Sequence, residues 1–204
     1  MKPKNIFTQR RAIRYFDSKK NLPSKRLEEI IDLAVLAPSA FNLQPWDIIA
    51  VRSKNAKQLL SSLSGEQQKI LDAPVTLILV GNREGYAIEN PVWEEARARF
   101  KSAAGYDAAV QTAQSLYGAS PERKTKFAES NVGLLAMSIM YAASFLGVAS
   151  HPMSAIDFDG VKKAFGIAEG KSVVMLIALG YEDTKKALAS RRPRRRYADI
   201  VTEV

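Results

Sequence analysis

The chain has 204 residues, a formal net charge of +9, and is 47% hydrophobic and 25% charged. That length buries a sizeable core, and the composition excludes disordered, collagen-like and disulfide-scaffold classes. With no cysteine and one histidine, His151, the chain has no disulfide, thiolate metal site, iron–sulfur cluster, cysteine nucleophile or two-imidazole metal site.

The opening residues, MKPKNIFTQRRAIRYF, lack the apolar core of a secretory signal. Absent cysteine fits a reducing compartment, so a cytoplasmic location is expected. Residues 1–26 carry nine Lys/Arg against Asp17 alone, a net of +8. Residues 185–204 carry seven against Asp199 and Glu203, a net of +5, which leaves the middle mildly acidic. Two basic ends on an acidic body suggest an anion bound where they meet, with a pair of solvated tails as the alternative. Neither end shows a zinc-finger, RRM or KH pattern or interleaved aromatics, so no nucleic-acid partner is expected.

In chain order, Ser24 is placed to cap a helix running to about Ala37, with Leu27, Ile30, Ile31 and Ala34 as its apolar face and Pro38 as its stop. Residues 47–52 read as a strand and 55–63 as a short helix. PVTLILVG, 74–81, reads as a buried central strand. Residues 82–127, with weak periodicity and Gly/Pro breaks, read as a helical, lid-like excursion. Residues 130–156 carry no charge. Within them, 132–149 is 18 residues long, the lower edge of membrane-spanning length. Its serines and glycines favour instead a central helix buried in a core or dimer interface, so no membrane is expected. Residues 172–180 read as a second buried strand, and ADIVTEV as an outlying third.

Some motifs fail. GIAEGKS, 166–172, has Phe165 where a phosphate loop needs glycine and precedes a strand instead of opening a helix. No G-x-G-x-x-G or G-x-S-x-G occurs. Three segments fit better. RRAIRYFD, 10–17, offers Arg10, Arg11 and Arg14 to a phosphate or ring oxygen. APSAFNLQPWDIIAV, 37–51, offers small Ser39 and Ala40 for close backbone approach, with the Asn42 and Gln44 amides. FLGVASHPMSAID, 145–157, reads as a turn whose backbone N–H groups can lie against a ring.

Together these segments resemble the FMN-dependent nitroreductase family. The likeness covers residues 10–81, NVG at 131–133, the HPMSAID turn, the strand near 172–180 and RRPRRRYADIV, and APSAFNLQPW is its most specific part. The resemblance implies one α+β domain over 1–204: a sandwich with a mostly antiparallel sheet flanked by helices. It implies an intertwined homodimer around a central helix at 130–147, with 185–204 crossing to the partner. It implies FMN at the interface. Arg10, Arg11, Ala12 and Arg14 take the first-motif flavin positions, and Pro38, Ser39, Ala40 and Asn42 are offered from the partner chain. Lys69 reaches the ring, Pro152, Met153, Ser154 and Ala155 face it, and Arg192 and Arg194 hold the phosphate. No side chain need act as a catalytic group, because flavin N5 carries the chemistry, and no metal is needed.

The chain departs from the pattern at Ala12, where serine is usual, at Glu66, where asparagine is common, and at Ser154-Ala155, where an acidic residue and glycine are frequent. The implied activity is an oxidoreductase passing hydride from NADH or NADPH through FMN to a nitroaromatic or quinone-type acceptor. The alternatives are a flavin store or sensor, or a specialised dehydrogenase or dehalogenase of the same family. From the residues themselves, Trp46 reads as core, His151 as a local hydrogen-bonding partner, and Trp93, Tyr106 and Tyr117 equally as packing or substrate contacts.

Overall fold

The computed structural model describes residues 5–204. Lys2 and Lys4, counted in the N-terminal charge, lie outside them. In chain order the elements are α1 (Ile6–Gln9), α2 (Ser24–Ala34), β1 (Trp46–Val51), α3 (Lys54–Ser62), α4 (Gln68–Asp72) and β2 (Val75–Asn82). Then come α5 (Pro91–Arg97), α6 (Ala103–Tyr117), α7 (Pro121–Phe145), β3 (Ala149–Met153), α8 (Phe158–Ala164), β4 (Lys171–Gly180) and α9 (Tyr197–Ile200). The sheet order is β1-β2-β4-β3, with every pair antiparallel.

β2 is buried along nearly its whole length, as its run of Val, Leu and Ile dictates. The sheet has apolar groups on both faces. α2 and α7 cover one, where Leu77, Leu79 and Ile177 meet Leu135, Ile139 and Ala143. On the other, Ile78, Val80 and Leu176 pack with Leu60 and Val161 of α3 and α8. Residues 82–127 hold α5, α6 and the start of α7. Trp93, Tyr106, Val110 and Phe127 there form a third apolar cluster with Leu43, so Trp93 and Tyr106 are packing residues.

Four local expectations are corrected. Ser24 is the first helical residue, not the cap; Pro23 holds that position, and α2 ends at Ala34, before Pro38. The central helix begins at Pro121, not 130, because the Ser120 hydroxyl caps it and proline suits a first turn. Residues 149–153, read as part of a turn, form edge strand β3. Pro152 is tolerated there because an edge strand leaves N–H groups unpaired. The segment ADIVTEV makes no strand. The Asp199 carboxylate accepts from the Arg196 N–H at 2.7 Å and starts the short helix α9, and no strand of its own chain pairs with it.

The uncharged run is half-exposed, not wholly buried. Leu135, Ala136, Ile139 and Ala143 face the sheet. The opposite stripe bears Leu134, Tyr141 and Phe145; Tyr141 packs edge-on against Phe7, and Phe145 is 73% exposed. No helix among the described residues is long and apolar enough to cross a membrane. α7 ends through Gly147 at φ 74°, a left-handed conformation that glycine adopts without a Cβ penalty, and Val148 N–H then donates back to Ala143 O at 2.8 Å. This closure starts β3 directly beneath the helix.

If α7 anchors the core through this face, Ile139→Ala should lower unfolding stability by about 2–5 kcal/mol. Urea denaturation checks this; a loss well under 1 kcal/mol would mean that the contact of α7 with the sheet is not structural.

Candidate functional site

The site grows from the N-terminal segment. The Asn5 carboxamide caps α1 by accepting from Phe7 N–H at 3.1 Å. After Arg10 the chain runs extended along the free edge of β3. Ala12 bridges Ser150 in parallel, and Ile13 N–H donates to Ser150 O at 3.0 Å. The segment then passes to the end of β4, where Asp17 N–H donates to Tyr181 O at 2.8 Å and Asp183 N–H to Tyr15 O at 3.0 Å. Ile13 and Phe16 are buried, which fixes the register and leaves Ala12 and Arg14 on the open side.

The C-terminal segment closes over this one. The Arg191 guanidinium donates to the carbonyls of Thr8 at 2.9 Å and Arg10 at 3.0 Å. Arg11 donates in return to Ala189 O at 2.6 Å. Between the two segments lies a cleft of about 310 Å³ lined by Arg10, Arg11, Ala12, Arg14, Tyr15, His151 and residues 187–192 and 194. No carboxylate lines it. Six guanidinium groups thus face one volume with no acidic partner, an arrangement that favours a bound anion with several acceptor oxygens.

Beside the cleft, a turn with Gly65 at φ 63° and Glu66 at φ 54° leads into α4. Asparagine tolerates such a conformation better than glutamate does, so Glu66 carries backbone strain there. Lys69 Nζ donates to Gln67 Oε1 at 2.7 Å, and Gln67 Nε2 donates to Ala155 O at 3.2 Å. Gln67 therefore ties Lys69 to the residues that follow β3. Burial, and then the Arg14 charge, hold the Lys69 ammonium below its usual pKa. Pro152 is half-buried and Ser154 and Ala155 are exposed, whereas the Met153 side chain is buried in the core.

His151 links the pieces. Its Nδ1 is 2.9 Å from Ile13 O. A carbonyl only accepts, so Nδ1 carries the proton and Nε2 is the acceptor of the neutral ring. Burial first, and then the Lys69 and Arg14 charges, push its pKa down to about 4, although the bond to Ile13 O opposes this.

Pro38, Ser39, Ala40 and Asn42 are not brought to this cleft. They follow α2 in a strained segment, with φ of 52° at Phe41, 56° at Asn42 and 49° at Gln44. Buried Asn131 of α7 holds it by accepting from Ala40 N–H at 2.9 Å, and Gln44 N–H donates to Ser39 Oγ at 2.9 Å. One chain therefore gathers Arg10, Arg11, Ala12, Arg14, Arg192 and Arg194, sets Lys69 and residues 152–155 alongside, and leaves 38–42 elsewhere. Sequence reasoning missed the clamp by Arg191, hidden within an arginine run, and the bridge by Gln67, which no motif signals. Among the described residues no group of three or more His, Asp or Glu is placed to hold a metal.

The fold and this cleft define an α+β protein with a carboxylate-free arginine cleft between its chain ends. The model of the nitroreductase family matches residues 7–181, and the chain belongs to that family. MhqN of Bacillus subtilis (strain 168), named as an NAD(P)H nitroreductase, is 31% identical over 192 residues, covering 93% of this chain and 91% of MhqN. The solved structure of YdfN, also from Bacillus subtilis and described as a nitroreductase, superposes with a TM-score of 0.91 at 28% identity, covering 98% of this chain and 97% of that one. A nitroreductase from Exiguobacterium sibiricum 255-15, solved in complex with FMN, superposes with a TM-score of 0.82 at 24% identity, covering 97% and 95%. The nitroreductase-like fold expected from the sequence is the fold observed.

His151 gives a direct probe of the site. Its folded pKa of about 4 lies below the usual 6.5. The neutral ring therefore contributes stability above pH 6.5, and this is lost as pH falls towards 4 while the unfolded chain takes up a proton. With partial exposure discounted, the loss should be roughly 1–2 kcal/mol. As the chain has one histidine, a single imidazole C2–H resonance should titrate near pH 4 by NMR. A midpoint near 6.5 would contradict the described environment.

Proposed function

We propose that the chain is an NAD(P)H-dependent oxidoreductase that binds FMN in the arginine cleft. The observation that carries the reading is the convergence of Arg10, Arg11 and Arg14 with Arg192 and Arg194 on one volume without a carboxylate. A phosphomonoester carries about −1.5 to −2 charge and three acceptor oxygens, which suits such a donor set. The FMN complex of the Exiguobacterium sibiricum protein, a structure of the same fold, supports the choice of ligand, and the name of MhqN supports NADH or NADPH as donor.

In this reading the arginines hold the phosphate. Lys69 and Arg14 lie towards the ring, where positive charge favours an anionic reduced ligand over a neutral oxidised one. The exposed backbone at Ser154 and Ala155 faces the ring, and His151 Nε2 is an acceptor for a ligand hydroxyl. When bound, FMN supplies a hydride acceptor and donor at N5 between NAD(P)H and a nitroaromatic or quinone-type acceptor. The protein's own part is to orient, to exclude water and to tune charge. Residues 82–127 serve as the covering excursion, and the cytoplasm, where NAD(P)H is supplied, is the assigned compartment.

We also propose a homodimer. The stripe of Leu134, Tyr141 and Phe145 is uncharged, and Leu36, 78% exposed, adds to the chain's open apolar surface. A second copy covering α7 would bring its Pro38, Ser39, Ala40 and Asn42 to the cleft that they do not reach within one chain. Of the segment 185–204, residues 187–192 and Arg194 stay on their own chain's cleft, and only the residues beyond Arg194 are left to cross the interface. Sedimentation equilibrium should give twice the 22.5 kDa chain mass at micromolar concentration. A 22.5 kDa species would exclude this assembly.

Purified protein should be yellow, and anaerobic NAD(P)H should bleach it. A yellow protein that neither cofactor bleaches would support a flavin store or sensor instead. Arg10→Ala and Arg192→Ala each remove a charge-assisted hydrogen bond of about 1.5–3 kcal/mol. FMN affinity should therefore fall roughly 10- to 150-fold, and riboflavin affinity much less. Equal losses for both ligands would remove these arginines from the phosphate.

A further inference from the structure

A second pocket, of about 440 Å³, lies between the end of α6, the first turns of α7 and Ala40. Its walls are Leu116, Tyr117 and Phe127, and its polar lining is Arg123, Lys126, Ser130 and Asn131. The Tyr117 and Phe127 rings stack on each other with centroids 4.6 Å apart, and Phe127 is buried, so Phe127 backs the half-buried Tyr117 ring, which is the aromatic surface on that side of the pocket. Its size suits a ligand of one or two rings.

The pocket's charge is one-sided. Arg123 spends one N–H on Leu116 O at 3.1 Å, which leaves most of its fork free. Lys126 forms no ion pair among the described residues, in contrast to its neighbour Lys124, which is paired with Glu84 at 2.8 Å on the far side of the helix. No carboxylate lines the pocket. The acids Glu122 and Glu129 line a separate open depression on the same helix, which Lys126 and Ser130 also border. The buried Asn131 amide is already committed, with Oδ1 accepting from Ala40 N–H and Nδ2 donating to Phe127 O, so it shapes the wall and leaves recognition of charge to the two cations.

We propose that this pocket binds a planar aromatic anion, its ring against the Tyr117–Phe127 side and its carboxylate or equivalent group on Arg123 and Lys126. The ligand's role as electron acceptor rests on the reading above, in which Ala40 belongs to the segment that reaches the second copy's flavin. In that role a nitrobenzoate would take one hydride from NAD(P)H and one proton from solvent per cycle, giving the nitroso compound and water, with NAD(P)+ as the oxidised product. The selectivity belongs to this chain's Arg123 and Lys126.

The test is calorimetric titration of the purified, flavin-loaded protein with benzoate and with its neutral isostere benzamide, at low and high salt. The wild type should bind benzoate about 10-fold more tightly at low salt, and the preference should shrink at high salt as exposed charges are screened. The double variant Arg123→Gln, Lys126→Gln should bind both ligands alike, with flavin content and benzamide affinity unchanged. Equal affinities in the wild type would overturn the inference. So would a benzoate preference that survives in the double variant, which would place the anion in the arginine cleft. Flavin content is read separately from absorbance. A colourless protein whose benzoate preference is still abolished by the double variant would remove the flavin reading and leave this pocket standing.

Discussion

Residues 11–17 have no sheet of their own and borrow one. Their backbone pairs with Ser150 on the open edge of β3 and then with residues 181–183 beyond β4. Burial of Ile13 and Phe16 sets which residues face inward. This one strand-like docking decides where Arg11 and Arg14 point. It also sets the start of the C-terminal segment, because Asp183 donates back to Tyr15. The two ends of the chain are thus joined by backbone hydrogen bonds, and Arg191 and Arg11 add reciprocal guanidinium contacts. Closing an edge in this way also blunts it against pairing with foreign strands.

The electrostatic consequence follows from that geometry. The cleft's cations set up a positive field, which the two titratable groups beside it feel as an addition to the larger effect of burial. Lys69 is pushed towards deprotonation by burial and by Arg14, and His151 is kept neutral well below its usual range. A dianionic phosphate would relieve these positive fields. The same cations would supply charge-assisted affinity for such a ligand.

The sequence was legible where physics is local or periodic. The continuous apolar runs at 74–81 and 172–180 became β2 and β4, and the two basic ends, read as meeting or as solvated tails, do meet through Arg191 and Arg11. It was less legible where tertiary contact overrides local preference. Pro152 reads as a turn residue but sits in β3, because an edge strand tolerates it. ADIVTEV has strand-like residues but finds no strand to pair with, and Asp199 starts a helix instead. The uncharged run of α7 reads as buried in a core or a dimer interface, and one chain covers only part of it. Within the site, the arginines were visible as types and spacings, whereas the Gln67 bridge depends on two left-handed residues at 65 and 66 that no motif announces. Residues 38–42 were legible as small and amide-bearing residues, but their strained backbone, pinned by buried Asn131, became evident only with the fold.

The central claim is that both ends of one chain make a single phosphate site. The most direct measurement is a crystal structure of the protein grown with FMN. The account predicts phosphate density within hydrogen-bonding distance of a guanidinium from residues 10–14 and of another from residues 192–194 of the same chain. Phosphate density held by only one of these segments, or outside the cleft altogether, would contradict it.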